Sequence, residues 1–275
     1  MLTKRTQKMP ERGPENIDIC LPTLNSGCKM TKLLQTLADQ CSSGCVRLLI
    51  ADGGSTDNTV QKIKDKFSNA LFLSLSDKSP EEGINRLLRH ESKNAKLLIG
   101  SDDWLSPDYV KKMTDKAKEL INNGEERFIL LPNKFINVYR GISYPSRLPH
   151  QILEVAGIGR GIGWMIYCRD GAPEMREDLK YASDYDILVR CKRSNYRFEY
   201  VDCTYYHSKD GRSSSGSIRG IWEEFRISCQ YPARMKTAKT IASAIVLSIK
   251  GISRTSLIVI TWLANRLRLI LEDIL

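Results

Sequence analysis

Residues 48–63 read LLIADGGSTDNTVQKI. An apolar run from Leu48 to Ala51 stops at Asp52, and two glycines with small turn formers separate it from a helical stretch, Thr56–Phe67. The same succession of strand, turn and helix lies on both sides. Upstream, IDICLPTLNSG (17–27) precedes a helical pattern at Met30–Gln40; downstream, ALFLSL (70–75) precedes Glu81–His90, and KLLIGSDDWLSPDYV (96–110) opens a helix over Pro107–Ile121. Four such units in a row predict an α/β fold with an open, mostly parallel sheet and helices on both faces. Ser55 or Thr56 is expected to cap the second helix, and Ser106-Pro107 to start the fourth.

Beyond residue 125 the pattern shortens into strands at RFILLP (127–132), FINVYRG (135–141) and GWMIYC (163–168), a helix at Ser183–Arg193 and a strand at Arg197–Cys203. A polar loop, SKDGRSSSGSIRG (208–220), and a helix from Ile218 to about Cys229 follow. Residues 1–16 are polar, carry two prolines and predict a flexible tail. The expected organisation is therefore tail 1–16, one α/β domain over 17–230, and a C-terminal helical segment over 231–275.

At 275 residues, with 41% hydrophobic and 27% charged residues, the chain is ordinary globular protein, which excludes disordered, collagen-like and disulfide-scaffold classes. Forty-two Lys and Arg against 32 Asp and Glu give a charge of +10, which favours anionic partners without choosing among them. The eight cysteines include no CxxC pair, and the N-terminus has no apolar signal stretch, so reduced thiols and a cytoplasmic location are expected. Cys28, Cys41 and Cys45 are poorly spaced for zinc.

In open α/β sheets ligands bind beyond the carboxyl ends of the strands. Three such ends carry turn residues or acids here: Pro22-Thr23-Leu24-Asn25, Asp52-Gly53-Gly54-Ser55, and Ser101-Asp102-Asp103-Trp104. Adjacent carboxylates repel, so a bound divalent cation is a natural reason for Asp102-Asp103; a solvated turn before the next helix is the plainer one. Oxygen ligands select Mn²⁺ or Mg²⁺, which complete their shells with water and substrate phosphate. Asp52 can accept from a base N–H or a ribose hydroxyl, or simply serve its own turn. No GxGxxG follows the first strand and GxxxxGK[ST] is absent; GIGRGIG (157–163) misses the dinucleotide spacing and is expected to be a flexible loop near the site.

On the segments 17–27, 48–63 and 96–110, with KYASDYDILVRC (180–191) further on, the sequence resembles the family-2 glycosyltransferases, inverting enzymes with the nucleotide-diphospho-sugar-binding fold called GT-A. The resemblance covers residues 17–115 well and 160–226 loosely. It implies that Pro22, Thr23 and Asn25 line a nucleotide pocket with Gly53 and Ser55, that Asp52 contacts the base or ribose, and that Asp102 faces the ribose or sugar. Asp103 would hold Mn²⁺ or Mg²⁺ on the diphosphate, with His207 either an additional ligand or a structural histidine. Asp184 would be the catalytic base, with Asp186 a near competitor. Ser101 and Ser183 stand where the family carries acids, and Leu87 and Arg89 where a segment facing the donor usually has a small residue and an asparagine.

The implied reaction moves a sugar from a nucleotide-diphospho-sugar, a UDP-sugar by expectation, to a hydroxyl of a saccharide or lipid-linked acceptor in surface polysaccharide or glycolipid synthesis, with residues 209–217 and Arg212 closing as a lid. Nucleic acid is not an expected partner. IASAIVLSI (241–249) and LIVITWLA (257–264) are too short to span a bilayer; with seven Lys or Arg against two acids from Arg234 onward, they suit peripheral contact with the inner face of a membrane, or packing on protein. An inactive nucleotide-binding relative that scaffolds a polymer-assembly complex is the alternative. A nucleotidyltransferase is disfavoured because LPTLNSG lacks the basic phosphate loop.

Overall fold

A computed structural model describes residues 17–41, 46–74, 76–91, 93–138, 142–145 and 162–208, with Gly220, Glu223, Arg226, Ile227 and Gln230. The chain alternates β1 (Ile17–Thr23), α1 (Thr31–Gln40), β2 (Val46–Asp52), α2 (Thr59–Lys66), β3 (Leu71–Ser74), α3 (Pro80–Arg89) and β4 (Ala95–Leu98), as expected. There follow β5 (Trp104–Leu105), α4 (Tyr109–Asn122), β6 (Arg127–Asn137), β7 (Ile142–Pro145), β8 (Trp164–Cys168), α5 (Ser183–Arg193) and β9 (Arg197–His207). The strands join in one sheet of order β3-β2-β1-β4-β8-β6-β9-β5, with β7 beside β6.

The first four strands pair in parallel, and β1 lies between β2 and β4. Its alternation sends Ile17, Ile19 and Leu21 to one face, with Leu33, Leu37, Ile63, Tyr109 and Met113 of α1, α2 and α4. Cys20 goes to the other, with Ile84, Leu88, Ile187 and Leu188 of α3 and α5. A strand buried on both faces reads as a continuous apolar run, which is why β1, β2 and β4 were legible. Beyond β4 the sheet is mixed: β8 is antiparallel to both β4 and β6, and β5 is antiparallel to β9.

Differences from expectation have local causes. The two strands read at 127–132 and 135–141 are one strand, β6, whose register against β9 shifts between Pro132 and Lys134; a proline in a sheet is accommodated where pairing is irregular. The second helix starts at Thr59, not Thr56, because Ser55 and Thr56 bond elsewhere. The fourth starts at Tyr109, two residues after Pro107. In α3, Ser79 accepts the Glu82 amide at 3.2 Å and Glu82 accepts the Lys78 amide at 2.8 Å, a reciprocal cap that Pro80 completes. The far end of α3 is closed by buried Lys96 of β4, whose Nζ donates to the carbonyls of Leu87 and His90 at 3.1 and 2.7 Å.

No helix among the described residues is long and apolar enough to cross a membrane. The tail 1–16, most of the 157–163 loop, the 209–217 segment with Arg212, and residues 231–275 lie outside the described residues.

Candidate active site

The parallel register sets Thr23 beside Asp52 at the carboxyl ends of β1 and β2. The turns that leave these strands are fastened to each other. Asn25 takes a left-handed conformation, φ 47°, which its short amide tolerates. Its N–H donates to Ser55 Oγ at 2.8 Å and its Oδ1 accepts the Thr56 amide at 2.9 Å. The Gly53 amide donates to the Thr23 carbonyl at 2.8 Å. Below them the Ser26 amide donates to Thr59 Oγ1 at 2.8 Å, and Asp57 accepts the amides of Gly27 and Thr59, both at 3.0 Å. Asp57 and Thr59, rather than Ser55 or Thr56, thus organise the start of α2.

Asp52 is 1% exposed, and its carboxylate serves its own turn. Oδ2 accepts the amides of Gly54 and Ser55 at 3.1 and 2.7 Å, and Oδ1 accepts the Ser55 hydroxyl at 2.6 Å. Gly54, at φ 88°, supplies the backbone conformation that closure requires. Pro22 and Gly53 are half-buried and Asn25 is exposed, while the Thr23 hydroxyl is buried with no hydrogen-bond partner among the described residues.

The third turn joins this pair through a hydrogen bond shared by the Ser26 and Ser101 hydroxyls at 2.8 Å. Asp103, 2% exposed, is built into the fold. Its Oδ2 accepts the Tyr205 hydroxyl at 2.6 Å and its Oδ1 the Ser208 amide at 2.9 Å, while the same Tyr205 oxygen accepts the Gly100 amide at 3.0 Å. A Cβ at residue 100 would stand 2.3 Å from Asp103 Oδ2, so the turn closes only on glycine. Asp102 is half-buried, and its Oδ2 has no hydrogen-bond partner among the described residues. Burial, then the neighbouring Asp103 charge, raises its carboxyl above the usual range.

His207 sits beside them, its Nδ1 2.9 Å from Asp103 Oδ1, a distance at which the two side chains pair when the imidazole is protonated. Burial pulls its pKa down, but the Asp103 contact and the charges of Asp103, Asp102 and Asp184 outweigh this and raise it. That influence brings Asp184, of the first turn of α5, into electrostatic reach of the same cluster. Asp184 is half-buried, and its Oδ1 accepts the Tyr185 amide at 2.9 Å.

Asp186 is different: fully buried, it binds Arg190 Nε at 2.7 Å with Arg176 at 3.7 Å, which marks it as a fold residue. Ser183, which stands where the family often carries a second acid, donates its hydroxyl at 3.2 Å to the carboxylate of Glu81 in α3, a residue only 9% exposed.

Three further placements bear on the sequence reading. Asp103, expected to hold the metal, accepts a hydrogen bond on each oxygen, whereas Asp102 Oδ2 has no hydrogen-bond partner among the described residues. The α3 segment is engaged with the protein itself: Asn85 bonds the Met175 carbonyl and amide at 2.9 and 2.7 Å, Arg89 pairs with Glu174, and Leu87 is core. The described cysteines are free, and Cys28 and Cys41 form no zinc set among the described residues. Sequence reading missed Tyr205, Glu81 and Glu223. The alternation of RFEYVDCTYYH marks Tyr205 as inward-facing, and the cap at Ser79 places Glu81 in a helical first turn. Nothing local marks Glu223.

Among the described residues no three His, Cys, Asp or Glu side chains form a ready metal cage. The open, buried oxygen of Asp102 beside His207 fits instead a hard cation that takes one or two protein ligands and fills its shell with phosphate oxygens.

Residues 18–123 match the model of glycosyl transferase family 2. No curated protein sequence shows significant similarity to the chain. Among solved structures the fold is shared with S. aureus TarS, at 20% identity and TM-score 0.58, covering 84% of this chain and 43% of TarS; the chain thus spans under half of that protein. TarS 1–349 in complex with UDP-GlcNAc gives a TM-score of 0.62 at 21% identity, covering 88% of this chain and 74% of that one. The mannosyltransferase PcManGT from Pyrobaculum calidifontis, in complex with GDP-Man and Mn²⁺, gives 0.55 at 13% identity over 95% of this chain and 83% of that one. Glucosyl-3-phosphoglycerate synthase from Mycobacterium tuberculosis, with Mg²⁺ and UDP, gives 0.54 at 17% identity over 80% and 81%.

Proposed function

We propose that this chain, whose residues 18–123 match the family 2 glycosyltransferase model and whose fold is shared with GT-A enzymes, is a glycosyltransferase that transfers a sugar with inversion from a UDP-sugar to a hydroxyl of a saccharide or lipid-linked acceptor. The observation that carries this reading is the cluster at the carboxyl rim of the sheet: Asp102 with an open oxygen, His207 raised by three carboxylates, and Asp184 among them. UDP as carrier is supported by the UDP-GlcNAc and UDP complexes of TarS and the mycobacterial synthase.

The zipped turns hold Pro22, Thr23, Asn25, Gly53 and Ser55 around the nucleoside, with Asp52 bracing them from beneath. Asp102 and His207 would hold Mn²⁺ or Mg²⁺, and Asp103 orients the imidazole, leaving Nε2 available to the ion. Bound there, the ion supplies Lewis-acid stabilisation of charge on the leaving diphosphate. Asp184 accepts the proton of the acceptor hydroxyl as that oxygen bonds to the anomeric carbon and the bond to the diphosphate breaks on the opposite face. The product has inverted configuration, and the electron pair leaves on the nucleoside diphosphate.

The basic segment 234–275 brings this domain to an anionic membrane surface, supported by its excess of Lys and Arg. Release of UDP from UDP-GlcNAc and related UDP-sugars, followed with and without Mn²⁺, tests the proposal. Metal-dependent turnover is expected; a protein that turns over no nucleotide-sugar under either condition contradicts it.

A further inference from the structure

The segment entering α5 has no capping side chain of its own: the N-cap is Ala182, and the Asp184 carboxylate is directed to the Tyr185 amide. Its amides are held from a distance. Glu223, helical and half-buried, accepts the Tyr181 amide at 2.6 Å and the Ala182 amide at 3.1 Å on Oε2, and the Lys180 amide at 3.1 Å on Oε1. Three successive amides thus converge on one carboxylate at least 41 residues away. The neighbourhood reinforces the clasp. Ile227, 1% exposed, packs with Leu179, Ala182, Tyr185 and Val189, and Gln230 accepts Arg176 Nη1 at 2.8 Å.

On the other side Ser183 is tied to Glu81 of α3. Asp184 therefore follows a residue clamped from one helix and a segment clamped from another. The rest of α5 is anchored independently, through Ile187, Leu188 and Cys191 in the core against the sheet.

We propose that Glu223 is a positioning residue for Asp184, fixing the entry to α5 so that the carboxylate is presented to the acceptor hydroxyl. This rests on reading Asp184 as the base. Loss of Glu223 frees the entry while leaving the anchored body of the helix in place, and the nucleotide pocket at β1 and β2 is untouched. The effect belongs to turnover, not to donor binding, because a small misplacement of a reacting group costs rate.

The test compares wild type, Glu223→Ala and Glu223→Gln in the full chain, with UDP-GlcNAc and Mn²⁺ as probe. Two readouts are taken: hydrogen exchange at the amides of Lys180, Tyr181 and Ala182, and kcat and KM for UDP release. Glu223→Ala is expected to expose the three amides to exchange and to lower kcat by about 10- to 100-fold with KM for the donor unchanged. Glu223→Gln, whose side-chain oxygen still accepts, is expected to recover most of both. If Glu223→Ala does not fold, Glu223→Asp, one methylene shorter, takes its place, with a kcat between those of wild type and the expected alanine value. Exposed amides with unchanged kcat overturn the positioning role alone, and undisturbed amides overturn the clasp. A wild type that releases no UDP overturns the reading of Asp184 as base, and the role of Glu223 with it.

Discussion

At Asp103 both carboxylate oxygens are engaged, one by the Tyr205 hydroxyl and the other by the Ser208 amide, while the neighbouring Asp102 keeps an oxygen without a hydrogen-bond partner among the described residues. Two identical, adjacent acids diverge because the Gly100–Asp103 turn directs one inward to Tyr205. No pattern in SDD separates them, and the partner that does lies 102 residues on. Tyr205→Phe removes a hydroxyl that donates to Asp103 and accepts from Gly100, leaving both buried groups short of a partner. We expect a loss of about 1–3 kcal/mol, read from urea unfolding. An unchanged midpoint would count against the role given to Asp103. The left-handed Asn25 bridges two loops through its backbone N–H and its side chain. Asn25→Ala should raise the KM for a UDP-sugar with little change in kcat, and an unchanged KM would separate this turn from the donor.

At the scale of elements, α5 carries Asp184 and Asp186 two residues apart with opposite fates. Spacing alone left them in competition. Burial separates their surroundings and supports Asp184 as the proposed base: Asp186 is enclosed by Arg190 and Arg176, whereas Asp184 is half-buried and within electrostatic reach of His207. Asp184→Asn is expected to lower kcat by about 10²–10⁴-fold while UDP binding and melting temperature hold. Asp186→Ala should instead destabilise by about 1–3 kcal/mol, since Arg190 loses a charged hydrogen-bond partner and the side chain leaves a small void. If the two variants exchange these phenotypes, the assignment is reversed. The parallel half of the sheet was legible because β1, β2 and β4 are buried on both faces and β1, β2 and β3 each lead into a helix. The edge strand β5 was not, since two residues, Trp104 and Leu105, carry no period.

For the whole molecule, the surplus of ten positive charges and the density of Lys and Arg beyond residue 234 argue for an anionic surface as partner. The full chain should sediment with vesicles containing phosphatidylglycerol and be released by high salt, as screening shortens the reach of its charges. Indifference to vesicle charge would favour packing on protein. The sheet brings together the turns after β1, β2 and β4 and the end of β9, and the proposed site draws its residues from these and from the start of α5. That convergence follows from strand order, which the sequence did not specify, implying only a parallel sheet from the four strand–helix units; the contributions of β9 and Glu223 depend on packing between distant segments. The central claim is that Asp102 completes a cation-dependent nucleotide site there. Its most direct measurement is the melting temperature of wild type and Asp102→Asn with UDP, in the presence and absence of Mn²⁺. The account predicts stabilisation by UDP that requires Mn²⁺ in the wild type and vanishes in a folded Asp102→Asn; an equal Mn²⁺-dependent rise in both proteins would contradict it.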